Sequence, residues 1–325
     1  MEPMTLQQLA VRLGSTQGYE SLSTAAGTTW VAVRLDGAPS PSFHAQPNCP
    51  VVGVFKGSPP ADDRIPSIID VVVGADEVAS VTDAVDRNPV AAAVLVRLLR
   101  HNERVGNVDS GFAESLAYST LQHGSEFQAW LANRPDRPPR AEPDAPAVLL
   151  ERRNGTLRIT LNRPHKRNAY SASLRDGLCE ALDVAMADAS IRRIVLDGAG
   201  ACFSAGGDLD EFGEATDAGL AHASRMARNA GAMIDCLRDR VEARLHGACI
   251  GAGIELPAFA ERVVARPDAF FVLPEVGMGL IPGAGGTTSI LRRIGRRRLA
   301  FMALTGTRID VPTALDWGLI DGVDA

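Results

Sequence analysis

Two segments rich in glycine and alanine, SAGGDL at 204–209 and GACIGAGIEL at 247–256, constrain the fold of this chain most strongly. Each follows a strand-like run and precedes a helical pattern, as in the crossover units of α/β proteins. Small residues let another group approach the backbone, and unpaired N–H groups lie at the positive end of a helix dipole. Two such turns facing one another would form an oxyanion hole, whereas either turn alone is as typical of tight backbone packing.

The chain downstream of position 146 continues this alternation of strands and helices. Residues 147–164 contain two strand-like runs around an Asn-Gly turn, which is the usual signal for a hairpin. Apolar residues recur at three- and four-residue spacing over 171–190, and 192–198 again has a strand pattern. A long helix is predicted around 217–240. This order of elements indicates an α/β core.

The upstream part of the chain has a different organisation. Three strand-like runs indicate a small α/β piece over residues 1–75, and residues 76–132 have helical patterns throughout. A stretch crowded with Pro, Arg, Asp and Ala then predicts a linker over 133–145 and a core over 146–325.

Charge and composition argue against several classes of partner. The formal net charge is -6, and no clustered basic face marks a nucleic-acid site. We interpret the basic run at 292–301 as the solvated start of a helix. The five cysteines form no Cys-x-x-Cys pair, which favours a reducing cytoplasm and no metal site. The absence of a signal-peptide layout and of an apolar run near the ~20 residues that span a bilayer predicts a cytoplasmic protein without a membrane partner.

Two glutamates lie in strongly apolar surroundings, Glu255 within IGAGIELPAFA and Glu275 within FFVLPEVGMGLIPGAGG. A carboxylate in such a setting is unfavourable unless it is paired or protonated. Either residue alone could be a satisfied structural glutamate. The two together favour a site with raised pKa values suited to proton transfer.

Five segments together resemble the crotonase, or enoyl-CoA hydratase/isomerase, superfamily. They are LNRPHKRNAYS (161–171), CFSAGGDLDEF (202–212), HGACIGAGIEL (246–256), LPEVGMGLIPGAGGT (273–287) and WGLIDGVD (317–324). The resemblance covers residues 146–325 in order. It implies an α/β fold, namely a crotonase-like spiral of ββα units, here with an N-terminal α/β and helical extension.

The resemblance also implies an acyl-CoA thioester substrate and specific site residues. The oxyanion hole would consist of the N–H groups of Gly207 and Ala252, while Glu255 and Glu275 would hold a water molecule that adds across the α,β double bond. The implied coenzyme A contacts are Lys166, Arg167, Ala169, Ala205, Asp208 and Leu209. Lys166 and Arg167 could equally belong to an exposed basic loop, and the Asp208 side chain is expected to brace its turn or cap the next helix. Coenzyme A is part of the substrate, so no separate cofactor and no metal are expected.

The leading functional hypothesis is a lyase that hydrates a 2-enoyl-CoA, as in fatty acid metabolism. Within the superfamily, the alternatives are an enoyl-CoA isomerase and a cofactor-independent aryl-acetyl-CoA dioxygenase. Glu255 argues against the dioxygenase, because the resemblance implies that those enzymes lack the first of the two glutamates. Outside the enzymes, the alternative is an inactive crotonase-like scaffold or partner subunit.

The order of segments departs from the superfamily. Its members continue past the GLIDGVD segment into helices that cover the acyl pocket and build a trimer, and residues 76–132 resemble that part. The pattern AYSTLQHGSEFQAWL carries this likeness, and an unrelated helical appendage is the alternative. We therefore expect 76–132 to pack on the core in a homo-oligomer, a trimer or hexamer. The residues expected to form one apolar face for that packing are Phe112, Leu116, Leu121, Phe127 and Leu131.

Overall fold

A computed structural model of the chain describes residues 2–37, 39–58, 60–61, 64–135 and 143–324. Its upstream part begins with two short helices and a three-stranded parallel sheet and continues with four helices. The first elements are α1 (Leu6–Leu13), α2 (Thr16–Ser21), β1 (Val31–Arg34), β2 (Val51–Phe55) and β3 (Val71–Gly74). The helices that follow are α3 (Val78–Arg87), α4 (Pro89–Asn102), α5 (Asn107–Gln122) and α6 (Ser125–Ala132).

The downstream part alternates strands and helices. Its strands are β4 (Val148–Arg153), β5 (Thr156–Leu161), β6 (Arg193–Gly198), β7 (Val241–Leu245), β8 (Ala248–Ile250), β9 (Arg262–Ala265), β10 (Phe270–Val272), β11 (Ile309–Asp310) and β12 (Gly322–Val323). Its helices are α7 (Ala172–Ala187), α8 (Ala218–Ala227), α9 (Ala230–Cys236), α10 (Ala252–Glu255), α11 (Gly286–Thr305) and α12 (Val311–Trp317).

A six-stranded sheet lies at the centre of the downstream part. Its order is β12-β9-β7-β6-β5-β4, and every neighbouring pair is parallel except β4 with β5. A second sheet has the order β11-β10-β8. Consecutive strands thus leave one sheet for the other and return, as a spiral of repeated units requires, and the predicted α/β class is confirmed.

Local predictions for the downstream part are confirmed in one place and wrong in another. The predicted hairpin is β4–β5, whose turn places Asn154 and Gly155 in the left-handed region with φ of 49° and 75°. The single helix predicted around 217–240 is wrong, because the chain leaves the helical conformation between α8 and α9. Asn229 stands at this break, and its side chain accepts a hydrogen bond from the N–H of Ala232 at 3.0 Å. An Asn cap of this kind starts a new helix and interrupts the old one.

Helix α11 is kinked at Gly295, where φ is 75° and ψ is 165°, so a second helical stretch begins within the basic run at 292–301, as predicted. The run is not solvated as we predicted, because part of it is buried. Arg296 is 4% exposed, and it donates a hydrogen bond to Oδ1 of Asp70 at 2.7 Å. Arg100 of α4 bonds the same carboxylate, and the N–H of Val51 donates to it at 2.8 Å. Buried charges are stable only when paired in this way. The network joins the upstream sheet, α4 and α11.

The upstream helices cover α11. Helices α3, α4 and α5 all pack against it, and α5 also packs against α8. The apolar face expected on the last two upstream helices is wrong in part, since Leu121 and Phe127 are buried but Phe112 and Leu116 are 48% and 44% exposed. The face of α5 that is buried instead carries Ser110, Glu114, Ser115 and Ser119. Part of the predicted linker, residues 136–142, lies outside the described residues. No helix in the described part of the chain is long and apolar enough to cross a bilayer.

Candidate active site

A cavity of about 320 Å³ lies between the downstream sheets and helices α5, α8 and α9. Its wall includes all four residues that the sequence analysis placed at the reacting centre. These are Gly207, Ala252, Glu255 and Glu275. The cavity is therefore the candidate active site.

The two Gly-rich turns lie side by side at this cavity. The N–H of Ile250 donates to the carbonyl of Ser204 at 3.0 Å, so the chain after β8 runs beside the first turn. A Cβ on Gly206 would lie 2.8 Å from the carbonyl oxygen of Ile250, and one on Gly253 would lie 2.5 Å from that of Ser204. Close approach of the two backbones thus explains why these positions lack side chains.

Two backbone amides face the cavity without partners. Within the described residues, neither the N–H of Gly207 nor that of Ala252 donates a hydrogen bond. Ala252 is the first residue of α10, where helical N–H groups have no partner in their own helix. Gly207 is fixed on both sides, because Tyr170 accepts from Asp208 at 3.0 Å and donates to Gly206 at 2.7 Å. Both amides are available to a ligand oxygen.

The carboxylates of Glu255 and Glu275 both lie near the backbone of Gly251. A Cβ on Gly251 would lie 2.4 Å from Oε1 of Glu275 and 3.8 Å from Oε1 of Glu255. The other oxygen of Glu255, Oε2, accepts hydrogen bonds from the N–H groups of Ala284 and Gly286 at 2.8 and 2.9 Å. Gly251 has a φ of 50°, a conformation that residues with a side chain rarely adopt. Glycine at this position therefore lets the Glu275 carboxylate lie against the backbone beside Glu255.

Both carboxylates titrate at unusually high pH. Burial raises the pKa of Glu255 well above its ordinary value, the charges of Glu275 and Glu114 raise it further, and its two amide hydrogen bonds act in the opposite direction. Burial raises the pKa of Glu275 to about 8. Although part of Glu275 is accessible, its Oε2 is buried and accepts no hydrogen bond from any described residue. The pair can therefore retain a proton at neutral pH.

A third carboxylate in the wall, Glu114 of α5, was missed by the sequence analysis. Glu114 is 4% exposed; its Oε1 accepts from the N–H of Gly285 at 2.8 Å, and its Oε2 accepts from the N–H of Thr287 at 3.0 Å. Burial raises the pKa of Glu114 to about 7. The available signal was the cluster of Ser110, Glu114 and Ser115 on one helical face among apolar residues.

An aromatic and cationic pair from the same region also lines the cavity and was missed. The guanidinium of Arg225 lies 4.4 Å from the ring centroid of Tyr118, and it donates to the hydroxyl of Ser119 at 2.7 Å. Burial lowers the pKa of Arg225 and raises that of Tyr118. Neither residue carries a local sequence signal, because each acquires its place only when α5 packs on α8.

Asp208 has the bracing role expected for it. It caps the following 3₁₀ turn by accepting from the N–H of Asp210 at 3.2 Å, and it pairs with Arg163 at 2.9 Å. Asp208 also lines the cavity, whereas the other five positions marked for coenzyme A are outside its wall. These five are Lys166, Arg167, Ala169, Ala205 and Leu209.

The side chain of Lys166 lies 3.5 Å from Asp208 and 3.1 Å from Asp210, so its charge is balanced within the protein. The coenzyme A contacts stay predictions. Across the described ranges, no group of three or more His, Cys, Asp or Glu side chains could hold a metal ion.

Comparison with known proteins identifies the family to which the chain belongs. The sequence model of the enoyl-CoA hydratase/isomerase family matches residues 151–325. The 2,3-dehydroadipyl-CoA hydratase of Escherichia coli (strain K12) is 35% identical over 176 residues, which cover 54% of this chain and 68% of that protein. The 1,2-epoxyphenylacetyl-CoA isomerase of the same strain is 33% identical over 53% of this chain and 68% of its own length.

Solved structures give the same result. The crystal structure of an enoyl-CoA hydratase from Mycobacterium smegmatis superimposes with a TM-score of 0.52 and 32% sequence identity, over 56% of this chain and 71% of that chain. The regions matched in these three proteins thus span about two thirds of each. The chain belongs to the enoyl-CoA hydratase/isomerase family, within the crotonase superfamily.

Proposed function

We propose that the protein hydrates a 2-enoyl-CoA thioester by adding water across its α,β double bond. The observation that carries the proposal is that Glu255 and Glu275 line one cavity and that Oε1 of each lies near the same backbone position, Gly251. A water molecule in the cavity between the two Oε1 atoms would form a hydrogen bond with each.

The two carboxylates have different surroundings, and this difference assigns their roles. Glu255 accepts two amide hydrogen bonds at the start of α11, so it is the better place for the negative charge of the pair. Glu275, whose buried Oε2 accepts no hydrogen bond from any described residue, then carries the proton. In this scheme Glu255 takes a proton from water as the water oxygen bonds to the β-carbon, and Glu275 gives its proton to the α-carbon.

The free amides of Gly207 and Ala252 would stabilise the negative charge that develops during this reaction. When oxygen bonds to the β-carbon, the π electrons move toward the thioester, and negative charge develops on its carbonyl oxygen. Preorganised N–H donors in a site that excludes water stabilise such a charge, each by about 3–4 kcal/mol. The absence of a Cβ on Gly207 leaves room for the Phe212 ring, which lies against this turn.

The experiment is hydration of crotonyl-CoA, followed as loss of the enoyl thioester absorbance. Turnover that depends on both glutamates supports the proposal, and a protein that binds crotonyl-CoA without hydrating it contradicts it. Double-bond isomerisation is the second candidate, because Glu275 lines the cavity together with the two free amides, and one carboxylate could move a proton between two carbons without help. Conversion of a 3-enoyl-CoA to the 2-enoyl-CoA that survives in Glu255→Gln would favour this second function.

A further inference from the structure

Four consecutive amides at the start of α11 are divided alternately between two carboxylates. In residues 284–287, the first and third N–H groups donate to Oε2 of Glu255 at 2.8 and 2.9 Å. The second and fourth donate to the two oxygens of Glu114 at 2.8 and 3.0 Å. The N–H groups at the start of a helix lack partners within that helix. Here the acceptors are the carboxylates of Glu255, from the core, and Glu114, from the upstream part.

We propose that Glu114 is a positioning residue for Glu255. By holding the alternate amides of residues 284–287, it fixes the two N–H groups that orient the Glu255 carboxylate. The inference rests on the function proposed above, in which Glu255 binds the reacting water. It assigns to α5, a helix outside the matched family region, a part in the chemistry of the core.

The contacts around Thr287 support a positioning role. The Thr287 hydroxyl donates to Oε2 of Glu114 at 2.5 Å and accepts from Nδ2 of Asn102 at 3.0 Å. Gly285, which donates to Oε1 of Glu114 at 2.8 Å, has a φ of 103°. Both oxygens of Glu114 are acceptors, and a glutamine can offer only one acceptor oxygen. Glu114→Gln therefore removes one of the two acceptor oxygens without changing the size of the side chain.

The charge of Glu114 also affects the two reacting carboxylates. The titratable groups around it are Arg225 and His222 of α8, Tyr118 of its own helix, and Glu255 and Glu275 across the cavity. The negative charge of Glu114 raises the pKa of Glu255 and that of Glu275. Removal of this charge therefore lowers both pKa values. The acid limb of the pH–rate profile moves to lower pH, because the ionised base persists there.

The experiment compares Glu114→Gln with the matched control Glu126→Gln in the full-length protein. Glu126 also caps a helix, accepting from the N–H groups of Val90 and Ala91 at 2.7 and 2.9 Å, but it does not line the cavity. For Glu114→Gln we expect kcat for crotonyl-CoA to fall roughly 10- to 100-fold with KM within about twofold, together with the shifted acid limb. Glu126→Gln should keep both the wild-type kcat and the wild-type acid limb.

A second readout does not depend on turnover. In protein labelled with ¹³C at the glutamate carboxyls, the titration midpoint of Glu255 should be lower in Glu114→Gln than in the wild type. If the wild type does not hydrate crotonyl-CoA, the proposed function fails while this titration still tests the inference. If Glu114→Gln does not fold, Glu114→Asp replaces it. We then expect reduced kcat and an acid limb at higher pH, because the charge is kept while the two amides that lower the pKa of Glu255 are held less firmly. A folded Glu114→Gln protein with wild-type kcat and an unchanged Glu255 midpoint would overturn the inference.

Discussion

Tyr118 of the upstream helix α5 lies directly against Gly283 of the core: a Cβ on Gly283 would come 2.2 Å from Cδ2 of the Tyr118 ring. Both residues line the candidate active site, and Ala284, which follows Gly283, donates to Glu255. The ring therefore packs on backbone that leads straight to a reacting group. Any displacement of α5 reaches the site through this contact.

The first prediction tests this contact with Gly283→Ala. The added methyl group must push the Tyr118 ring away, and overpacking of this kind lowers the free energy of unfolding by about 1–3 kcal/mol. Tyr118→Ala in the same chain should recover at least ~1 kcal/mol of that loss, because it removes the clash. Denaturant unfolding of the two single variants and the double variant measures the coupling. Strictly additive effects would contradict the contact.

The second prediction concerns the reacting pair. Glu255→Gln and Glu275→Gln keep the shape of each side chain but cannot take up or deliver the proton. We expect each to lower kcat for crotonyl-CoA hydration by about 10²–10⁴-fold, with KM nearly unchanged. Steady-state kinetics on folded variants provide the measurement. Full activity in Glu255→Gln would remove the hydratase proposal and leave the isomerase ahead.

The third prediction concerns Gly207. A Cβ there would lie 2.8 Å from Cε1 of Phe212, and a valine would also crowd the N–H that faces the cavity. Gly207→Val should lower kcat/KM by about 10²–10³-fold. The double variant Gly207→Val/Phe212→Ala separates the two causes, since it relieves the clash with the ring but not the crowding of the amide. Recovery of activity in the double variant would show that displacement of Phe212 caused the loss.

The fourth prediction links Glu275 to stability. Its pKa rises from an ordinary 4.5 to about 8 in the folded protein. Between these pH values the unfolded chain binds fewer protons than the native state, so stability falls as pH rises. Glu275→Gln removes this penalty, and we expect it to be more stable than wild type by about 1–2 kcal/mol at pH 9, a value reduced because Glu275 is partly accessible. The difference should shrink toward pH 5, as measured by denaturant unfolding at both pH values.

The fifth prediction concerns the buried charge network. Asp70→Asn leaves Arg100 and Arg296 in the interior without their shared counter-charge. We expect the free energy of unfolding to fall by about 3–5 kcal/mol. The exposed pair of Arg34 and Glu2 is the control, because Glu2→Gln should produce no measurable change. A small effect of Asp70→Asn would mean that water or rearranged side chains compensate the two arginines.

The residues that were predictable from sequence are those whose chemistry conflicts with their immediate neighbours. Glu255 and Glu275 are acidic within apolar runs, and Gly207 stands in a turn of small residues, so a short window was sufficient to identify them. Glu114 was not predictable in this way, since its meaning depends on amides more than 170 positions further along the chain. Phe112 shows a second limit. Helical periodicity tells which residues share a face, but not which face turns inward.

The position of α11 along the chain has a consequence for biosynthesis. Asp70 and Glu114 are synthesised early, yet Arg296 and the amides of residues 285 and 287 that they bind are made only after the first seven strands of the downstream part. A nascent chain that has not reached Gly286 therefore exposes the faces of α3, α4 and α5 that α11 will cover. Such a surface is prone to aggregation and is the kind that chaperones bind during translation. The burial of these helix faces and the assembly of the active site therefore both wait until α11 has been synthesised.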